Sequence, residues 1–168
     1  MRFPLPSLPT RPFHKGSGLR WFGAPRAGGA RAHAACDLIA KQGTPVLAVG
    51  PGIVLYHEPG FYKGTWSLVV HHYSFIVRYA EVAKKLADGV VVGFAVSEGQ
   101  ELTTVGMSTS GSQMLHFEMY KGSATGTYSQ KSNSSNYDFV PVKNYERRKD
   151  LLDPTPYLDE WALISGMI

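Results

Sequence analysis

Three side chains in two parts of the chain could together hold a metal ion. His33 and Asp37 are separated by three small residues, and His116 lies much later in the chain. Residues four apart lie on the same face of a helix, and also on the same face of a strand, so His33 and Asp37 share a face in either case. Imidazole and carboxylate groups bind zinc, and a catalytic zinc site has three protein ligands and one position left for water. Spacing alone still leaves a hydrogen-bonded pair of His33 and Asp37 as the more common interpretation.

The segment that contains His116 is predicted to be a strand. Residues 113–120 read QMLHFEMY, a hydrophobic and aromatic run. Alternate residues of a strand point to the same face, so Met114, His116 and Glu118 should share one face. Cys36 is the single cysteine, which excludes an internal disulfide. Its side chain should point away from the side chain of the aspartate that follows it, and we expect it to belong to the core.

From Gly23 to Tyr120 the chain resembles the lysostaphin-type, or LytM-domain, zinc endopeptidases, which cut peptide bonds in bacterial peptidoglycan. Five sequence blocks agree with the family in order and spacing, and this agreement is more specific than any single motif. The blocks are HAACD at residues 33–37, GTPVLAVGPGIV at 43–54, RYAEV at 78–82, a glycine-punctuated stretch at 99–111 and MLHFE at 114–118.

The resemblance implies a fold and a site. The fold is all-β, with a central antiparallel sheet that carries a groove, and with few short helices. Residues 19–168 would form this single domain. The prolines of residues 1–18 predict, independently of the resemblance, an N-terminal arm that is packed along the surface or partly loose. The zinc ligands would be His33, Asp37 and His116. The activity would be hydrolysis of peptide bonds in the stem peptides or cross-links of peptidoglycan.

The chain departs from the family pattern at two positions beside the metal. Where the family has histidines that assist proton transfer, this chain has Glu81 and Met114. A carboxylate can take a proton from water and pass it to a leaving group, so we expect Glu81 to be the general base. Met114 cannot transfer a proton and is expected to shape the substrate pocket. Two alternatives remain. Glu81 is a solvated charge at a strand end, or the domain holds zinc and acts only as a wall-binding or amidase-regulating module.

The segments around these motifs are predicted to be short strands separated by glycine-rich and serine-rich turns. Tyr62 and Trp66 lie in the loop at residues 60–66, where they either face the groove as substrate-binding residues or only stiffen a hairpin. The Ser/Thr/Asn-rich loop at residues 123–144 is expected to border the groove and restrict access. The predicted strands are 19–22, 44–49, 52–57, 67–71, 75–82, 90–95 and 114–120, followed by a short helix within 145–154 and a helical turn at 159–164.

Composition and charge limit the class of partner. The chain has 168 residues, a net charge of +4 and a pI near 9.2. A basic surface is attracted to an anionic polymer such as the bacterial wall. The sequence contains no basic helix or zinc-finger spacing that would indicate nucleic-acid binding. No apolar run is long enough to span a membrane. We expect a monomer that acts on peptidoglycan.

The start of the chain predicts how the protein reaches that substrate. Residues 1–9 contain three prolines and no continuous apolar stretch, unlike a Sec signal peptide. Action in the periplasm or cell wall would then depend on phage lysis or on a dedicated secretion system. A delivery or immunity partner would fit either route.

Overall fold

The computed structural model describes residues 1–29, 31–131, 139–142 and 145–168, and its main element is a nine-stranded sheet. All strand pairs in this sheet are antiparallel, so the all-β prediction is confirmed. The strands of this sheet are β3 (Cys36–Ile39), β4 (Pro45–Leu47), β5 (Gly52–Pro59), β6 (Trp66–His71), β7 (Ile76–Leu86), β8 (Ala95–Val96), β9 (Glu101–Val105), β10 (Met114–Tyr120) and β14 (Leu151–Leu152).

The remaining elements are small. A two-stranded pair, β1 (Pro25–Arg26) and β2 (Arg31–Ala32), flanks a short 3-10 turn at Ala27–Gly29. A separate three-stranded sheet has the order β11 (Ser129–Lys131), β13 (Tyr145–Arg148), β12 (Phe139–Val142). One α-helix, α1 (Thr155–Ile164), follows β14 near the end of the chain. No helix in the described residues is long and apolar enough to cross a membrane.

The strand that was predicted around His116 forms the centre of the sheet. β10 lies between β7 on one side and both β3 and β14 on the other. Its apolar residues alternate, so that Leu115, Phe117 and Met119 enter the main core. Helix α1 covers that core with Leu158 and Trp161. The opposite face of β10 is therefore left to carry Met114, His116, Glu118 and Tyr120.

The first eighteen residues contribute to the core instead of lying on the surface. The side chains of Phe3, Leu5 and Phe13 are buried in the main cluster. The backbone NH groups of Arg2 and Thr10 donate to carbonyl groups of the sheet region, at Val49 and Ile39. Prolines break the periodicity of this segment, so the sequence pattern gave no sign that its apolar residues would be buried.

Several predicted elements differ from the structure. Residues 19–22 form turns, and most of 90–95 is a turn that precedes the short β8. The predicted helix within 145–154 is replaced by β13 and β14, and helix α1 begins at Thr155, earlier than predicted. Helix α1 begins beside Pro154 and Pro156, and proline suits the first turn of a helix. The predicted loop at 123–144 contains β11 and β12, and its residues 132–138 and 143–144 lie outside the described residues.

Candidate metal centre

The three predicted ligands come together on the face of the sheet opposite to helix α1. His116 on β10 pairs directly with Asp37 on β3, so their side chains share a face. The Nδ1 atom of His116 lies 2.9 Å from Oδ1 of Asp37 and 3.3 Å from Nε2 of His33, and that Nε2 lies 3.0 Å from the same Oδ1. Ligand bonds of about 2.1 Å at a tetrahedral zinc ion place ligand atoms about 3.4 Å apart. The spacing of the three atoms therefore fits such an ion.

The outer nitrogen of each histidine is already committed to a hydrogen bond. The Nδ1–H group of His33 donates to the carbonyl oxygen of Trp21 at 3.0 Å. The Nε2–H group of His116 donates to Oε1 of Glu118 at 2.9 Å. A neutral imidazole with one protonated nitrogen presents a lone pair at the other. Two lone pairs and a carboxylate oxygen then converge on one point, and such a set of acceptors requires a cation.

The pKa shifts of His116 and Asp37 also indicate that the site favours positive charge. Burial lowers the pKa of His116, but Asp37 and Glu118 outweigh this effect and raise it to about 9. Burial raises the pKa of Asp37, but hydrogen bonds from His116 and His33 keep it well below its usual range. The pKa of His33 is lowered, mainly by burial. Without a metal, the site holds a proton on His116, and a metal ion can replace that proton.

Charged groups also hold the outer atoms of the carboxylates. The guanidinium group of Arg26 donates to Oδ2 of Asp37 at 2.9 Å, which leaves Oδ1 facing the two histidines. The hydroxyl group of Tyr120 donates to Oε2 of Glu118 at 2.7 Å. The pKa of Glu118 falls to about 2, because the nearby guanidinium group of Arg78 and the hydrogen bond from His116 outweigh burial. Such outer partners orient the ligands of a metal site.

Glu81 lies in a β-bulge of β7, beside the ligands. The residues on either side of it, Ala80 and Val82, pair with consecutive residues of β6, so Glu81 has no partner on that strand. Its φ of 58° is uncommon for a residue other than glycine. The NH group of Gly106 donates to the carbonyl of Glu81 at 2.9 Å, and a Cβ atom at position 106 would collide with that carbonyl. A bulge of this kind redirects one side chain of a strand.

The side chain of Glu81 is buried rather than solvated. It is 7% exposed, so the interpretation as a solvated strand-end charge is wrong. Its Oε2 atom is buried and has no hydrogen-bond partner among the described residues. Burial raises the pKa of Glu81 to about 7, with smaller and opposite effects from the charges of His116 and Asp37. A carboxyl group with this pKa can exchange a proton near neutral pH.

The ring of Phe61 lies beside His116, although no sequence pattern marked Phe61 as a site residue. Its centroid lies 5.1 Å from that of the His116 ring. Tyr62 is exposed next to it in the same loop. The structure does not bring Trp66 to this face. Its ring centroid lies 4.6 Å from that of His57, and the side chain packs against the main core, because it alternates with a strand neighbour that faces the groove.

Met114 and the residues that support the ligands were visible in the sequence to different degrees. Met114 is half-buried on β10, two residues before His116 and on the same face, where it can line the groove. Glu118 was placed on this face without a role, and Arg78 lies in a matched block. Alternate residues of β7 and of β10 point to the same face of the sheet, and this alternation could have predicted that Arg78 and Glu118 lie together. The two residues are direct partners in the antiparallel register. No such alternation in the sequence could have marked Arg26 as a supporting residue.

A family model decides which group of proteins this chain resembles in sequence. The model described as peptidase family M23 matches residues 31–132, which contain all three ligands and Glu81. This chain is a member of peptidase family M23. Membership establishes that this chain shares the domain of a family of peptidases.

The M23 domain of this chain has relatives of known name. It is 30% identical to the peptidoglycan DD-endopeptidase ShyC of Vibrio cholerae over 82 residues, which cover 49% of this chain and 18% of ShyC. It thus spans less than a fifth of that relative. The fold is similar to that of CbpA from L. salivarius REN, with a TM-score of 0.61, 18% identity and 97% of each chain covered. It is also similar to lysostaphin from Staphylococcus simulans, with a TM-score of 0.58, 22% identity, and 96% and 56% of the two chains covered.

Proposed function

We propose that the protein is a zinc-dependent endopeptidase that hydrolyses peptide bonds in the stem peptides or cross-links of bacterial peptidoglycan. The observation that carries this proposal is the convergence of three acceptor atoms, from His33, Asp37 and His116, within 3.3 Å of one another. Membership of the M23 family and the similarity to a peptidoglycan endopeptidase support the choice of substrate. Such a substrate would place the activity in the periplasm or cell wall.

The donor set fits zinc better than a hard cation. Two imidazole nitrogens and one carboxylate oxygen are typical of catalytic zinc, whereas calcium and magnesium select oxygen ligands. Zinc held by these three residues would supply a Lewis acid that acidifies a water molecule and polarises the peptide carbonyl. Arg26 and Glu118 would keep the ligands in place from outside.

Glu81 is proposed to carry the proton during hydrolysis. Its carboxylate takes a proton from the attacking water as the new carbon–oxygen bond forms. It then gives that proton to the amine that leaves when the peptide bond breaks, so Glu81 returns to its starting form. Burial favours this role, because the raised pKa of about 7 lets the group both accept and release a proton near neutral pH. Met114, Phe61 and Tyr62 are proposed to line the path of the substrate.

The test is a digest of purified sacculi, followed by mass spectrometry of the released muropeptides. The parent protein should hold one zinc per chain and release fragments with new amino and carboxyl ends, and a chelator should stop the release. His116→Ala should lose both zinc and activity, whereas His14→Ala is a matched control, because His14 is exposed and pairs with Asp159 far from the site.

Glu81→Gln separates catalysis from metal binding in the same assay. This variant should keep zinc and lower turnover by a factor of about a hundred or more, as expected when a general base is lost. Met114→His should be tolerated. Release of fragments at the parent rate by Glu81→Gln would exclude Glu81 as the base. A parent protein that binds zinc and sacculi but releases nothing would instead be a wall-binding or amidase-regulating module, and this alternative is favoured by the absence of a histidine at positions 81 and 114.

A further inference from the structure

Arg78 contacts both the carboxylate that supports one proposed metal ligand and an aromatic ring beside the groove. On β7 it lies directly opposite Glu118 of β10, and its Nη1 atom is 3.7 Å from Oε2 of that carboxylate. The other oxygen of Glu118 accepts the Nε2–H hydrogen bond of His116 at 2.9 Å. A continuous chain of charged contacts therefore runs from Arg78 through Glu118 to His116.

The guanidinium group of Arg78 also lies between two aromatic rings. Its central carbon is 4.5 Å from the centroid of Phe61 and 5.6 Å from that of Tyr128. Phe61 in turn lies against the ring of His116. A planar guanidinium group can stack on two rings and pair with a carboxylate at once, and a lysine ammonium group does not reproduce this arrangement. Arg78 thus contacts both the outer partner and the ring neighbour of His116.

Burial makes these contacts costly to remove. The side chain of Glu118 is 4% exposed and that of Arg78 is 13% exposed. Removing one partner of a buried charge pair leaves the other charge uncompensated, and the remaining side chain tends to move or to change partners. If Glu118 moved, the Nε2–H group of His116 would lose its acceptor. The ring of His116 could then rotate away from the point where the three ligand atoms converge.

We propose that Arg78 is the positioning residue of the metal site. It holds Glu118 in the orientation that fixes the ring of His116, and it holds Phe61 against the same ring. This inference rests on the metal binding in the proposed function, and it concerns a residue that is not one of the three proposed ligands. It predicts that loss of Arg78 weakens zinc binding although all three ligands remain.

The experiment compares Arg78→Met, Arg78→Lys and Arg148→Met with the parent protein. Arg148 is a control for the loss of a guanidinium group in this region, since its central carbon lies 4.6 Å from the centroid of Tyr128 and 4.8 Å from that of Tyr120, but its charge pairs with Asp150 instead of Glu118. Zinc affinity is measured by competition with a chelator. Loss of an outer partner of a zinc ligand typically costs 10-fold to 100-fold in affinity, so Arg78→Met should bind zinc about that much more weakly. Arg78→Lys should fall between it and the parent, and Arg148→Met should stay close to the parent.

A second measurement needs no metal and no activity. Hydrogen bonding to Glu118 should shift the Nε2 proton of His116 downfield in the proton NMR spectrum and protect it from exchange with water. In metal-free protein this resonance should persist in Arg148→Met and be shifted or lost in Arg78→Met and, to a smaller extent, in Arg78→Lys. If Arg78→Met fails to fold, Arg78→Lys still tests the inference, because lysine keeps the positive charge but lacks the planar group that contacts Glu118 and both rings at once.

The outcomes separate this inference from the proposed function. Parent-like zinc affinity together with an unchanged Nε2 resonance in both Arg78 variants would overturn the positioning role. Equal loss of affinity in Arg148→Met would overturn it as well, since general loosening of this region would then explain the effect. A parent protein that binds no zinc would instead defeat the proposed function, and the Nε2 resonance of the metal-free variants would still decide whether Arg78 positions His116.

Discussion

Each of the three proposed metal ligands has one atom that faces the other two side chains and another atom that is held by a partner outside this cluster. Trp21 holds the outer nitrogen of His33, Arg26 the outer oxygen of Asp37, and Glu118 the outer nitrogen of His116. None of these three partners is a ligand, yet each decides which atom of its ligand faces inward.

Glu81 differs from the ligands because its carboxylate is buried with an oxygen that has no partner among the described residues. Its pKa rises from 4.5 to about 7 on folding, mainly through burial. The folded state therefore keeps a proton that the unfolded state releases. The free energy of unfolding falls as the pH rises from about 4.5 through 7.

We predict that Glu81→Gln stabilises the metal-free protein at high pH. A shift of this size corresponds to at most about 3 kcal/mol, and glutamine removes the cost of burying the charge. Urea unfolding with a chelator present should show a difference between variant and parent that is larger at pH 8 than at pH 5 by about 1–3 kcal/mol. Glutamine keeps the left-handed backbone of the bulge unchanged, so backbone strain cancels in the comparison. Equal differences at the two pH values would indicate that the carboxylate of Glu81 is solvated in the folded protein.

At the scale of elements, the end of β6 shows how strand alternation separates two neighbouring histidines. His71 is half-exposed on the face of the sheet that carries the site, whereas His72 is fully buried on the other side. The ring of His72 bonds to the hydroxyl group of Tyr79 at 3.0 Å and to the carbonyl oxygen of Pro51 at 3.1 Å. Burial lowers the pKa of His72 to about 4. His72 is therefore a structural residue of the core.

We predict that His72 contributes to acid unfolding. The unfolded chain takes up a proton at this residue below about pH 6.5, while the folded protein resists it down to about pH 4, so stability that is present above pH 6.5 is lost as the pH falls through this range. The loss amounts to about 3 kcal/mol for a shift of this size. His72→Gln should lose less stability than the parent between pH 6.5 and 4 in chemical unfolding. His71→Gln is the matched control and should follow the parent. Identical pH profiles for all three proteins would show that His72 does not titrate on unfolding.

The elements show which parts of the site a sequence can predict. Strand β10 was predicted, because a run of alternating residues fixes which side chains share a face. The set of three candidate ligands came from residue types and the family resemblance, and the structure brings their side chains together. The resemblance marked Glu81, but the bulge that turns it toward the ligands depends on pairing with β6 and on the NH group of Gly106. Those contacts are distant in sequence, and no local pattern encodes them. The burial of Phe3 and the position of Phe61 depend on tertiary packing in the same way.

At the scale of the whole molecule, the sheet has a core side and a groove side with different contents. The core side carries the main apolar cluster and helix α1. The groove side carries the ligands, Glu81 and a small cluster of Val69, Ile76 and Tyr120, against which Tyr128 packs. The three-stranded sheet of β11, β12 and β13 follows Tyr128 in the chain, and the family match ends at residue 132. Most of this second sheet is therefore outside the part that the chain shares with the family model.

The contacts that attach this second sheet suggest a way to remove it. Arg148 is bonded to Asp150, which also accepts hydrogen bonds from the NH groups of Gly122 and Ala124. The guanidinium carbon of Arg148 lies 4.6 Å from the centroid of the Tyr128 ring. A deletion should keep these contacts, because Arg148 and Asp150 are buried and paired with each other. Strands β11 and β13 begin to pair at Ser129 and Arg147, which are direct partners in the antiparallel register.

We predict that residues 130–146 can be replaced by Asn-Gly without loss of the fold. Asn-Gly closes a two-residue hairpin between directly paired residues, so Ser129 and Arg147 keep their register. Connecting segments tolerate deletions better than the elements that they connect, so zinc binding and the melting temperature should change little. If the removed segment restricts access to the groove, the ratio of sacculus cleavage to cleavage of a soluble muropeptide dimer should rise. An unchanged ratio would show that the segment has no influence on access. Unfolding of the variant would show that residues 130–146 are part of the structural core.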